Sequence, residues 1–177
     1  IPSTGGKIAV TVVMVLGVIL VIYGIRVGMA RKKKVTVEFE QKMIDAQQTV
    51  GRSCQEHPEP PSSGLAPTNG NYPFRYMYGK SKTLDGDVNL VFEKTSQGWA
   101  IRGEGQDHHG AFKIVDGRVS HGGAAWWIYE GREAKRTLAH GAFIFSTNSF
   151  EGTWTQTGNG MNGDYESFRL QSAYGGV

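Results

Sequence analysis

The spacing of apolar and polar positions changes several times along this chain. "IAVTVVMVLGVILVIYGI", from Ile8 to Ile25, has no charged residue between Lys7 and Arg26. As a helix rising about 1.5 Å per residue it would extend roughly 27 Å, close to the thickness of a bilayer core. A helix buried in a globular core usually shows a polar stripe. This run offers only Thr11 and Tyr23. A secretory signal has a shorter apolar region and a small-residue cleavage site. The pattern predicts a transmembrane helix with a basic flank over residues 1–34.

The spacing then becomes that of an amphipathic helix. In "VTVEFEQKMIDAQQTVG", Phe39, Met43, Ala46 and Val50 recur every three or four residues, and Gly51 is a stop signal. This predicts a juxtamembrane helix over 35–52. Residues 53–73 carry Pro58, Pro60, Pro61, Pro67 and Pro73, the composition of an extended linker. It could lie along a neighbour's surface.

From Phe74 the period drops to two. "VNLVFEK" puts Val88, Leu90 and Phe92 on one face, and Trp99 with Ile101 and Phe112 with Ile114 repeat the pattern. Glycine-bearing turns such as "TSQG", "QDHHG" and "TGNGMNG" separate these runs. Residues 74–177 are therefore expected to form a soluble antiparallel meander of eight or nine strands, closed as a small barrel or stacked as a sandwich. Trp99, Phe112, Trp127, Phe143, Phe145, Trp154, Tyr165 and Phe168 are its expected core. The chain as a whole is mainly β with one transmembrane α-helix.

Charge adds a direction. The formal net charge is +3. From Gly70 onward five Lys and six Arg balance eleven Asp plus Glu, so the surplus lies earlier in the chain. A neutral body gives no footprint for nucleic acid. Arg26, Arg31, Lys32, Lys33 and Lys34 follow the apolar run, and only Lys7 precedes it. The positive-inside rule then puts the C-terminal body in the cytoplasm, stroma or matrix. Arg31 to Lys34 would also meet anionic lipid headgroups. Gly17 and Gly24, seven residues apart on nearly one face, would let another helix approach. The chain opens on Ile1 rather than methionine, which implies a processed or missing start and hides any targeting peptide. A single cysteine, Cys54, allows no internal disulfide.

"GWAIRGEGQDHHGAFKIVDGRVSHGGAAWWIYEG" and "GAFIFSTNSFEGTWTQTGNGMNGDYESFRL" carry a resemblance. Their G-x-G-x-D-x-x-G-x-F, F-x-G-x-W and G-x-Y-x-x-F-x-L patterns resemble a small β module of algae and other protists, in forms found in diatoms. The match runs from about Gly98 to Leu170. Such modules occur alone, beside other modules or behind a membrane helix. The resemblance brings no catalytic residue set.

In that module Asp107 and Gly110 are the patterned, turn-forming positions, while His108 and His109 are variable. An aspartate at a tight turn accepts from backbone N–H groups two residues on, and glycine there takes positive φ. Adjacent strand residues point to opposite faces, so a metal site would need His121 or His140 and a carboxylate brought close. No metal site is expected. GxSxG and a phosphate-binding loop are both missing from the sequence. In "AAWWIYEG", one of Trp126 and Trp127 is expected to face the core and the other to anchor on a partner.

These readings combine into a non-catalytic, single-pass accessory subunit of a multi-subunit membrane complex, without a cofactor of its own. Its partners would be larger integral membrane proteins, with peripheral pigment or lipid contacts along the membrane helix. The algal resemblance implies an organellar energy-conversion complex: first a photosystem–antenna supercomplex in the thylakoid, second a respiratory complex of the mitochondrial inner membrane. A membrane-tethered small-ligand-binding barrel or enzyme is one alternative. A membrane-tethered recruitment module of the secretory system is the other.

Overall fold

The computed structural model describes the backbone of residues 4–78, 82–131, 135–157 and 165–171, and the side chains of 16–77, 82–131 and 135–157. One helix, α1 (Thr4–Glu56), precedes eight strands. These are β1 (Gly70–Tyr78), β2 (Lys82–Thr95), β3 (Gly98–Asp107), β4 (Gly110–Ser120), β5 (Ala124–Glu130), β6 (Arg136–Ile144), β7 (Ser149–Gln156) and β8 (Tyr165–Gln171). Each strand pairs antiparallel with the next in sequence, and β8 returns to β1 through Phe74↔Leu170, Arg75↔Arg169 and Tyr76↔Phe168. The sheet is thus a closed up-and-down barrel rather than a sandwich.

Alternation sets which side chains fill it. Tyr72, Phe74 and Tyr76 of β1, Val88, Leu90 and Phe92 of β2, and Phe112 and Ile114 of β4 point inward and are buried. Rings pack at tilted angles through the interior, with Trp127 and Phe150 centroids 4.2 Å apart and Phe112 and Tyr129 4.8 Å apart. Trp99, Phe112, Trp127, Phe143 and Trp154 belong to this core, with Phe145 packed against it. The side chains of Tyr165 and Phe168 lie outside the described residues.

Two features depart from the sequence expectations. α1 is one helix of 53 residues, continuous through residue 34 and ending at Glu56 instead of 52. It runs through Gly51, at a propensity cost of about 1 kcal/mol, because its last turn is fastened to the barrel: Ser53 and Ser120 share a hydroxyl hydrogen bond of 2.8 Å, and the Cys54 thiol donates to the Gln97 carbonyl at 3.3 Å. Pro58, Pro60, Pro61 and Pro67 occupy a shorter connection, residues 57–69, whose ends are tied to this chain's own barrel. The Asn69 side-chain oxygen accepts from Phe92 N–H at 2.7 Å, and Asn148 accepts from Thr68 N–H at 3.2 Å. Pro73 falls inside β1, one position before the pairing with β8 begins, a strand location that proline tolerates.

Among the described residues no helix is long and apolar enough to cross a membrane. The side chains of Ile8 to Val15, nearly half of the apolar run, lie outside them.

Candidate functional site

The seam between α1 and the barrel is where the sequence patterns converge. Strand β5 is buried along both faces from Ala125 to Tyr129. Inward, Ala125, Trp127 and Tyr129 join the barrel core. Outward, Trp126 and Ile128 form a second apolar cluster with Leu138 of β6 and with Phe39, Ala46 and Val50 of α1; Met43, Cys54 and Ala124 pack at its border. Trp126 is 4% exposed and Leu138 is fully buried. Neither indole is therefore left for a separate partner, because the chain's own helix covers the outward one. Two sequence signals pointed here: the unbroken apolar run "AAWWIY", typical of a strand covered on both faces, and the apolar stripe of 39–50, which needs a surface to cover it. Leu138, flanked by Thr137 and Ala139, carries no such periodic signal.

Polar contacts frame the seam. Lys42 donates to Thr155 Oγ1 at 3.2 Å, and His140 Nε2 lies 3.2 Å from Thr153 Oγ1. Burial pushes the His140 pKa down, the Lys42 ammonium adds to this, and Asp45 partly opposes it. Where α1 ends, the His121 ring is buried edge-on against Trp99, centroids 5.3 Å apart, and its Nδ1–H donates to the Pro58 carbonyl at 3.1 Å. Its Nε2 has no partner among the described residues. Desolvation raises the Cys54 pKa, with Arg118 pulling it partly back, so the thiol stays protonated and is a poor nucleophile.

The histidine turn lies at the opposite end of the barrel. Asp107 Oδ1 accepts from His109 N–H at 2.7 Å, and Gly110 has φ +113°. Aspartate and glycine make the turn. The rings of His108 and His109 are exposed with centroids 5.6 Å apart, while His121 is buried beside the β4–β5 turn. Among the described residues no group of three or more His, Cys, Asp or Glu is placed to hold a metal ion.

One groove of about 530 Å³ opens on the outer surface of β1–β5. Register lines up Asn71, Asn89, Glu104, Lys113 and Glu130 across it. Glu130 continues the row in an ion pair with Arg136, Nε to Oε1 3.3 Å. Carboxylates facing a cation across open solvent are what any polar sheet face carries. Beyond the barrel, α1 is bare. Every described side chain from Leu16 to Lys34 is exposed, and Gly17 and Gly24 have nothing within 4 Å of an added Cβ. Comparison with protein-family models, curated proteins and solved structures gives no match to this chain.

Proposed function

We propose that this chain is a single-pass, membrane-anchored, non-catalytic accessory subunit whose barrel is mounted on the anchoring helix. The observation that carries this reading is the bare apolar half of α1. Leu16, Val18, Ile19, Leu20, Val21, Ile22, Tyr23, Ile25, Val27 and Met29 are between 43% and 70% exposed, all around the helix. A helix apolar on every side needs an apolar surround, either a protein core or lipid. The barrel supplies none, since its contacts with α1 begin at Phe39. The uncharged run Ile8–Ile25 has the length of a bilayer core, and Arg26 and Arg31 to Lys34 put the barrel on the positive-inside face.

The barrel interior favours structure over chemistry. It is filled by the rings and aliphatic groups of strands β1 to β7, a packed core instead of a ligand chamber. The algal resemblance is the ground for proposing an organellar energy-conversion complex as its setting, a photosystem–antenna supercomplex ahead of a respiratory one. Gly17 and Gly24 are then the close-approach face toward larger membrane subunits.

The test is purification in mild detergent. A stoichiometric subunit stays with its complex through a high-salt wash. A tethered recruitment module leaves in salt, and a free ligand-binding barrel never co-purifies. Either of the last two outcomes sinks the reading.

A further inference from the structure

The closure of the barrel and the course of α1 together fix which end of the barrel looks at the anchor. In an up-and-down barrel the hairpin turns alternate between two ends. The β2–β3, β4–β5 and β6–β7 turns share one end; the β3–β4 and β5–β6 connections share the other. The last turn of α1 is fastened to the first end, through Cys54 on Gln97 and Ser53 on Ser120. Earlier in the helix, Lys42 reaches Thr155. Thr155 is opposite Leu138, and Leu138 is opposite Ile128. Going backward along α1 therefore leads toward the end that holds His108, His109 and Lys135.

Distances along the elements set the height. From Ile128 to the end of β5 at Glu130 is about 7 Å of strand. From Lys42 back to Lys34 is about 12 Å of helix, and back to Arg26 about 24 Å. The rim of the barrel thus falls near the level of Val37, about 17 Å above the first charge after the apolar run and on the barrel side of Arg31–Lys34. A headgroup layer occupies roughly the first 5–7 Å of that gap. The remainder is about one Debye length at physiological salt. Charge agrees with this pose: the basic stretch Arg31–Lys34 is at the near end, and Glu56 and Glu59 are at the far end.

We infer that the barrel stands over an anionic lipid surface in one orientation, with the His108–His109 turn facing the headgroups and the β2–β3 turn facing away. This rests on the reading that Ile8–Ile25 lies in the bilayer. An unbroken helix clamped by Phe39, Ala46 and Val50 leaves no hinge at which the barrel can tumble. Strand β4 spans the barrel with 11 residues. At about 3.3 Å per residue and a tilt near 40°, the two ends differ in height by roughly 25–30 Å.

The experiment uses the full chain in vesicles of phosphatidylcholine and phosphatidylserine carrying a headgroup-attached energy acceptor. In a Cys54→Ser background, a donor dye is placed at His108→Cys, at Ser96→Cys or at Leu20→Cys. Transfer should be strong at position 20, and at least about twofold greater at 108 than at 96 for a height difference of that size. Equal transfer at 108 and 96, with position 20 transferring strongly and the chain floating with the vesicles, overturns the orientation and leaves the anchor standing. Greater transfer at 96 overturns it as well. A chain that does not float overturns the anchor reading, and the orientation falls with it.

Discussion

Replacing Trp126 by alanine separates the seam from the barrel core. The indole is 4% exposed and packs between β5 and α1, outside the closed sheet. An indole buries roughly 200 Å², which at about 25 cal/mol per Å² amounts to some 5 kcal/mol of transfer free energy. Measured truncations of buried aromatics cost about 3–5 kcal/mol. Phe39, Ala46 and Val50 then face a hole, with Ile128 and Leu138, and Ala124 at the border, left on the barrel side to cover them. Hydrogen exchange followed by peptide-resolved mass spectrometry reads the result. Amides of residues 39–56 should exchange faster by a factor of about a hundred to a few thousand, taking about 1.4 kcal/mol per tenfold. Amides of β1 to β3 should change far less. Trp127→Ala, which removes an indole packed against Phe150 inside the barrel, should accelerate the strands throughout. If Trp126→Ala and Trp127→Ala accelerate the same strand amides and leave 39–56 unchanged, the outward indole is part of the barrel core and the helix is held by something else.

Asp107→Ala removes the acceptor for His109 N–H and should lower stability by about 1 kcal/mol in urea unfolding. The double change His108→Gln, His109→Gln should stay within about 0.5 kcal/mol, and stoichiometric metal lost on that change would contradict the turn reading. Gly98→Ala should cost more than about 1 kcal/mol, because Gly98 has φ +139° and an added Cβ would strike the Val119 carbonyl; Gly131→Ala, with only Ala111 O at 4.0 Å, is the quiet comparison. His140 gives a pH signature: its folded pKa is lowered from the ordinary histidine value of 6.5, so the unfolded chain takes up the proton first. Stability is full above that value and declines as pH falls from it toward the folded pKa. The drop between pH 7.5 and 5.5 should shrink in His140→Gln, and an unchanged drop would place its cause elsewhere.

The strands were legible because each buries one face, so that Val88, Leu90 and Phe92 or Phe112 and Ile114 announce themselves by alternation. The glycines and the Asp107 turn were legible for a local reason: turn geometry depends on a few neighbouring residues. Closure into a barrel was not, because the β1–β8 pairing joins segments at opposite ends of the β region, and no local pattern records it. The joining of helix to barrel was hidden for a similar reason. The stripe Phe39–Val50 and the outward side of β5 each call for an apolar cover, and only the fold shows that each covers the other. Five prolines suggested an extended linker that could lie along a neighbour, yet proline restricts φ without deciding where the chain lies. Here the connection is tied to the barrel through Asn69 and Thr68.

The central claim is that the bare apolar half of α1 lies in a bilayer, and alkaline carbonate extraction tests it most directly. Membranes carrying the full chain are washed at high pH and sedimented, and the chain is followed in pellet and supernatant. The account expects it in the pellet. It also expects release when Leu16 and Leu20 are both changed to arginine, each costing about 2.5–3.5 kcal/mol at mid-helix. Recovery of the unaltered chain in the supernatant, beside an integral membrane marker that stays in the pellet, would contradict it.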